Sequence, residues 1–466
     1  MNILIYYILA PIFVFGAAVI IHEFGHFIVA KLLGIRVETF SVGFGPRLFG
    51  RRFGTTDYRL SLVPLGGYVK LGGDESNAAV EGESGSDIPE GERFDLRPRW
   101  HKFLVIIAGP VMNILTALAV VFFGALASGI PVQPSSPVVS RIIQGGAAEQ
   151  AGLRVGDRIV SFNGKDNPSW ERIRNDALIA PEQSLPLVVE REGQRVSLTI
   201  KPTRRVEEGE AMGELDFWPD YGNQPVTISE VIEGSPAAQA GLQAEDRLLM
   251  INGEAIGSEQ QVRDLIQAHK NAPLRLTIER AGTRRELTAD LSHSDGKLGI
   301  RYGAEETLQR AGLITAAGYA VQRNVEIMRL TGNALGQVFS GKRSARDTFA
   351  GPIGIGRAAS TAANRGGWDG VFKILGFLSL NLGVMNLLPI PVLDGGAIAM
   401  LLIEAMLGVV GLTLSMKLRE RIQQVGFVML LLLMGFVIVN DITKTASRLR
   451  GSEETPPAAA SPTPQK

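Results

Sequence analysis

ILIYYILAPIFVFGAAVIIHEFGHFIVA, residues Ile3 to Ala30, is the stretch that decides the class of this chain. Ile3 to Ile21 carries no charge, and the apolar run continues to Ala30 with only His22, Glu23 and His26 inside it. At about 1.5 Å of rise per residue the stretch is long enough to cross a bilayer as a helix. A cleaved signal peptide would want a basic leading region and a small-x-small cleavage site, and neither is present.

Three further runs repeat the pattern. Phe103 to Ala127 is uncharged and is led in by Trp100, His101 and Lys102, an interfacial cluster. Ile374 to Leu393 is bounded by Lys373 and Asp394, and Ile422 to Asn440 by Arg421 and Asp441. These predict a polytopic α-helical membrane protein with four transmembrane helices. Composition agrees: of 466 residues only 20% are charged, and the formal net charge is zero. The absence of a basic excess gives no reason to expect a nucleic-acid partner. The chain has no cysteine, which removes thiol catalysis, disulfides and Cys-ligated zinc together.

Lys and Arg near the span ends set the expected orientation. Lys31, Arg36, Arg47, Arg51 and Arg52, then Arg93, Arg97, Arg99 and Lys102, lie between spans one and two. Lys417, Arg419 and Arg421 lie between spans three and four. Both loops read as cytoplasmic, which leaves the termini and segment 128–372 outside. Lys444, Arg448 and Arg450 argue mildly the other way.

The outer segment contains a repeat. VVSRIIQGGAAEQAGLRVGDRIVSFNGK from Val138 and TISEVIEGSPAAQAGLQAEDRLLMINGE from Thr227 align at an offset of 89 residues, with 12 of 28 positions identical. Each copy reads as a strand, a small-residue helix, an AGL turn, a second strand and an Asn-Gly hairpin turn. A polar helix and two more strands follow. The pattern resembles two tandem PDZ (α+β) domains of the bacterial type, at 128–217 and 218–305. Such domains take peptide C-termini by adding a strand to a sheet edge; alternatively, a copy serves as a spacer. Leu298, Gly299 and Ile300 resemble the binding-strand motif of that family. In the second copy Glu245 stands where the first has Gly156. Leu308, Leu313, Tyr319, Val325, Met328, Leu335 and Phe339 fall at helical spacing, predicting an amphipathic helix or helix pair on the outer membrane surface within 306–370. The closing GSEETPPAAASPTPQK is rich in Pro, Ala and Ser, and the tail that it ends, 442–466, is expected to be disordered.

The chemistry sits in the first span, taken as 1–30. His22-Glu23-Phe24-Gly25-His26 is an H-E-x-x-H motif. On a helix the two histidines sit about 40° apart and roughly 6 Å along the axis, so both imidazoles can reach one zinc ion. Glu23 beside them can take a proton from water. Three such groups near a span end need a compensating partner, since each ionisable residue costs about 2.5–3.5 kcal/mol on insertion scales. A metal is one partner; emergence of the helix end into the headgroups is the other. Catalytic zinc wants a third protein ligand. The extended pattern with a third histidine fails, because Val29 and Leu32 stand at the required places. The best candidate is Asp394, which closes Asn386-Leu-Leu-Pro389-Ile-Pro391-Val-Leu-Asp394 in the third segment, 371–407. Pro389 and Pro391 exclude regular helix, and irregular backbone at that depth must line a cavity or pack on protein.

With these motifs on view, the chain resembles the site-2 protease family of intramembrane zinc metalloproteases, in its bacterial branch of regulator of sigma-E protease type. The resemblance rests on HEFGH in span one, N-x-x-P-x-P-x-L-D-G in span three and the tandem repeat between spans two and three. Gly109-Pro110 with Asn113, and Gly351-Pro352-Ile353-Gly354-Ile355, also match. Ser41 to Gly73 is similar to the membrane-associated β-hairpins of that family, within a cytoplasmic region 31–102. The resemblance implies a multi-pass protein of the bacterial inner membrane, with PDZ domains in the periplasm and the active site toward the cytoplasmic side. It implies substrates that are single-span proteins already trimmed outside, such as an anti-sigma factor, with the PDZ pair screening them. Asn381 and Asn386, with Pro389 and Pro391, are the expected substrate-binding positions; interhelical packing is the alternative for each Asn. A PDZ scaffold without catalysis and a zinc transporter are the rival readings. An intact Glu23 argues against the first, and spans that do not repeat argue against the second.

Overall fold

The computed structural model describes residues 9–74, 88–131, 137–207, 210–219, 226–256, 259–270, 272–292, 294, 297–303, 308–409, 412 and 415–453. Two compact units emerge: one built from both ends of the chain, up to Ala127 and from Ala311, the other from Ser128–Arg310. Among the described residues four helices are long and apolar enough to cross a membrane: Ala10–Leu32, Arg99–Ser128, Gly366–Asn386 and Arg421–Thr445.

In the first unit, α1 (Ala10–Leu32) begins with Pro11 in its first turn, where a missing N–H disrupts no helical bond. β1 (Val37–Phe53) and β2 (Thr56–Leu71) follow, then α2 (Arg99–Ser128). The two strands form more than a hairpin. Thr39 pairs with both Lys70 and Asp57, so the first half of β1 lies between the two halves of β2. At the inner end Ile35, Val37 and Leu71 are buried with Ala30, Phe94 and Val105, anchoring the sheet to both helices. At the outer end Leu48, Phe49, Phe53, Leu60 and Leu62 are exposed. The strand region therefore starts at Val37, ahead of the expected Ser41, because the chain turns into β1 as soon as Gly34 (φ 66°) ends α1.

The second unit carries the repeat into three dimensions. The first copy runs β3 (Val139–Ile142), α3 (Ala147–Gln150), β4 (Arg158–Phe162), α4 (Trp170–Leu178), β5 (Leu185–Arg191) and β6 (Gln194–Ile200). A hairpin, β7 (Thr203–Glu207) and β8 (Glu210–Glu214), precedes β9 (Phe217–Pro219), which pairs back with β3. The second copy runs β10 (Val226–Val231), α5 (Pro236–Gln239), β11 (Arg247–Ile251), α6 (Glu259–Ala268), β12 (Pro273–Arg280), β13 (Thr283–Asp290) and β14 (Ile300–Gly303). Its strand order is β13-β12-β11-β10-β14. The 89-residue offset holds through the cores: Ile159, Phe162, Leu187 and Val189 answer to Leu248, Ile251, Leu276 and Ile278, all buried. It also holds for a clamp. Arg191 donates Nε and Nη2 to Asp157 at 2.7 Å and Nη2 to the Gly152 carbonyl. Arg280 does the same to Asp246 and Gly241. Asn163-Gly164 and Asn252-Gly253 take positive φ at both positions, as the Asn-Gly turns require. The copies part where the first inserts β7–β8, for which the second has no counterpart strand pair among the described residues.

Back in the first unit, α7 (Leu313–Phe339) is one continuous helix where the sequence allowed one or two. Its buried stripe is Ala316, Ala320 and Asn324, while Leu313, Ile314, Val321, Val325 and Phe339 are exposed. α8 (Pro352–Asn386) bends at Gly367 (φ 54°), so the apolar span begins at Gly366 and ends at Asn386. The third span was expected to reach Leu393. The prolines stop it short, and α9 (Asp394–Val409) begins afresh at the aspartate. α10 (Met416–Glu453) carries the fourth span and continues past the expected boundary at Asp441, so 442–453 is helix where a disordered tail was expected, because no proline interrupts the chain before Pro456. The remainder of the proposed tail, 454–466, lies outside the described residues, as does 75–87 in the region between spans one and two. Asp441 accepts from the amides of Gly351, Ile353 and Gly354, so the fourth span caps the N-terminus of α8.

Candidate metal centre

Helical spacing puts His22 and His26 one turn apart on α1, with their imidazole centroids 4.8 Å apart. Their Nε2 atoms approach to 3.3 Å. Asp394, at the first position of α9, brings Oδ2 to 3.1 Å from His22 Nε2 and Oδ1 to 3.6 Å from His26 Nε2. All three ligand atoms lie within 4.8 Å of one another.

The chemistry of this donor set fits zinc. Tetrahedral zinc with ligand bonds near 2.0–2.1 Å separates its ligand atoms by about 3.3–3.4 Å, and the separations here, 3.1, 3.3 and 3.6 Å, lie on either side of that value. Asp394 Oδ2 is buried without a hydrogen-bond partner among the described residues, although His22 Nε2 is only 3.1 Å away. A carboxylate that faces the Nε2 atoms of two histidines suits a shared cation.

Local sequence explains why the spans can come this near. A Cβ on Gly109 would overlap the His26 imidazole, and one on Gly25 would overlap the Ala108 carbonyl. A Cβ on Gly395 would strike the carbonyls of Leu387 and Leu388, so the turn behind Asp394 closes only on glycine. In that turn Val392 takes φ 82°, a strained position for a β-branched residue. Pro110 lacks the N–H that would bond the carbonyl of Ile106. One residue away, the Val105 carbonyl accepts His26 Nδ1–H at 2.7 Å.

Glu23 is half-buried and lies within electrostatic reach of His22, His26 and Asp394. It faces β2: a Cβ on Gly67 would sit 3.7 Å from its Cγ. Asn386 brings Nδ2 to 3.2 Å from His22 Nε2, at the edge of the cluster. Asn381 does not join it. Its Oδ1 accepts from Thr331 on α7 and its Nδ2 donates to the Phe377 carbonyl, the interhelical role rather than an open one. Pro389 and Pro391 lie in the turn, and Pro391 packs where a Gly426 side chain would stand. Leu298, Gly299 and Ile300 belong to the other unit. The Leu298 carbonyl accepts from Ala237 and the Gly299 carbonyl from Ile232. Sequence reasoning gave Asn113 no role. It is fully buried on α2, with Nδ2 3.3 Å from His22 Nδ1. A polar residue inside an uncharged span, one turn beyond Gly109-Pro110, was the available signal.

Comparison with known proteins points the same way. The description of Peptidase family M50 matches residues 10–433. The regulator of sigma E protease of Salmonella typhi is 31% identical, covering 93% of this chain and 98% of its own length. Protease RseP of Yersinia pestis is 31% identical over 92% of this chain and 96% of its own. A Vibrio cholerae relative is 34% identical over 94% and 98% respectively.

Proposed function

This chain belongs to peptidase family M50 and is a zinc metalloendopeptidase of the site-2 protease type; from that premise we propose that it cleaves single-span membrane proteins within or beside their transmembrane helices. The observation that carries the reading is the convergence of His22, His26 and Asp394 beside Glu23, with the histidines on a helix long and apolar enough to cross a membrane and Asp394 just past the end of another.

His22 and His26 through Nε2, and Asp394 through its carboxylate, would hold the zinc. Bound there, it would supply polarisation of the scissile carbonyl and a lowered pKa for the attacking water. Glu23 takes the proton of the attacking water and returns it to the leaving amine. A helix hides its peptide bonds, so the substrate enters unwound and extended. Asn386, beside His22, and the carbonyls of Pro389 and Pro391 would hydrogen-bond it. Asn381 serves packing against Thr331 instead.

The two repeats act as PDZ domains that capture peptide C-termini and screen substrates, the second through Leu298, Gly299 and Ile300. Support comes from the three-strand order the copies share, β6-β5-β4 in the first and β13-β12-β11 in the second, and from the paired Arg–Asp clamps. The Lys/Arg bias supports an inner-membrane orientation with the repeats periplasmic and the metal toward the cytoplasm. The exposed apolar end of the β1–β2 sheet supports its contact with lipid. The name of the Salmonella relative, regulator of sigma E protease, supports a substrate that governs a sigma factor, and an anti-sigma factor trimmed beforehand is the substrate class proposed.

The test is cleavage of a tagged single-span substrate in membranes by wild type and Glu23→Gln, with zinc measured in both. Loss of cleavage with retention of zinc supports Glu23 as the base. Equal cleavage by the two proteins sinks the assignment.

A further inference from the structure

His26 turns Nε2 toward the cluster because its Nδ1 faces a group that can only accept, the Val105 carbonyl. An imidazole with its N–H at Nδ1 has its lone pair at Nε2. His22 also turns Nε2 toward Asp394 and His26. Its Nδ1 therefore needs an acceptor as well, and the group that faces it is the Asn113 side-chain amide at 3.3 Å.

An amide offers a donor at one end and an acceptor at the other, and the two ends exchange by a half-turn that alters no packing. As placed, Nδ2 is the end toward His22, while Oδ1 lies 3.2 Å from Ser379 Oγ. That arrangement puts a donor against the Nδ1–H of a ligating His22, in a site where Asn113 and Ser379 are both fully buried. An unmet buried donor is costly. Ser379 allows the other orientation. Its hydroxyl also lies 3.1 Å from the Asn113 backbone carbonyl, to which it can donate while accepting from the turned Nδ2. With the amide turned, each of these groups has a partner.

We propose that Asn113 is a positioning residue of the metal centre: its carboxamide oxygen accepts His22 Nδ1–H, Ser379 holds the amide from behind, and the pair keeps the His22 Nε2 lone pair in the cluster. Three spans are thereby tied to one ligand. This rests on the zinc reading given above.

The test uses the full-length protein in detergent, loaded with zinc and dialysed against graded chelator. Asn113→Leu removes donor and acceptor; Asn113→Asp keeps an acceptor. Outer partners of metal-bound histidines are typically worth about 10- to 100-fold in affinity. Asn113→Leu should therefore release zinc at about 10- to 100-fold less chelator than wild type, and Asn113→Asp within about threefold of it. Retention by Asn113→Leu equal to wild type overturns the proposal, and so does release by Asn113→Asp as easy as by Asn113→Leu. A wild type that holds no zinc overturns the zinc reading first, a distinct result. Should Asn113→Leu fail to fold, nitrogen NMR of the metal-free wild type decides, since the chain has only five histidines to assign. A proton on His22 Nδ1 supports the proposal, and one on Nε2 overturns it.

Discussion

Replacing Gly109 by alanine adds one methyl group at the point where α2 meets the two histidines. The new carbon would lie 2.6 Å from His26 Cε1 and 2.8 Å from His22 Cε1, and nearer still to His26 Nε2. Carbon atoms settle at about 3.5–4.0 Å, so the rings or the helix must give way by roughly 0.7 Å or more. Zinc–ligand distances tolerate about 0.2 Å. Overpacking of this kind costs about 1–3 kcal/mol, which corresponds to zinc binding weaker by about 5- to 150-fold. The same substitution at Gly124, on the same helix, meets nothing within 4 Å. There it should stabilise by about 0.5–1 kcal/mol, because alanine loses less backbone freedom than glycine in a helix. Zinc retention against a chelator, with cleavage of a single-span substrate in membranes, compares the two. If Gly109→Ala holds zinc as tightly as Gly124→Ala, the close approach of α2 to the ligands is not what shapes the site.

Glu245 takes φ 72° where the first copy has Gly156 at 91°, so Glu245→Gly should stabilise the second repeat by up to about 1 kcal/mol; slower amide exchange in β11 would show it, and faster exchange would count against the strain. Asp441→Ala strips the acceptor from three amides at the start of α8, those of Gly351, Ile353 and Gly354, and should cost about 1–3 kcal/mol. A loss of thermal stability no greater than that from Val439→Ala, an exposed neighbour, would contradict it. Burial pushes the Asp157 carboxyl up, but hydrogen bonds from Arg191 and the Arg154 amide outweigh it and hold the group below the usual carboxylate range. Its contribution is therefore present above about pH 3.9 and is lost as pH falls through the folded value. Asp157→Asn should be clearly less stable than wild type at pH 7 and nearer to it at pH 3; denaturant midpoints that differ equally at both would refute the linkage.

Much of the site could be read from the chain. H-E-x-x-H carries its own geometry, because four residues on a helix always bring two side chains to one face. Asp394 could be reached too, since a carboxylate at a Pro-broken span needs a polar reason to be there. Asn381 and Asn386 show the limit. Both are asparagines in the same apolar span, yet one bonds Thr331 and the other reaches His22. Which way each points follows from the rotation of α8 against α1 and α7, and no local pattern encodes that.

What the sequence alone determined were the properties that repeat along the chain: apolar runs as long as a bilayer, a motif at helical spacing, an 89-residue repeat whose buried positions match pair by pair. These are local because helix rise and strand alternation are local. Tertiary structure decided the rest. It set the first half of β1 between the halves of β2, ended the third span at Asn386, and brought Asn113 and Asp394 to opposite sides of the His22 ring. The two contacts to His22 join residues 91 or more positions apart, and glycines at 25, 109 and 395 let the backbones around them approach closer than a side chain would allow.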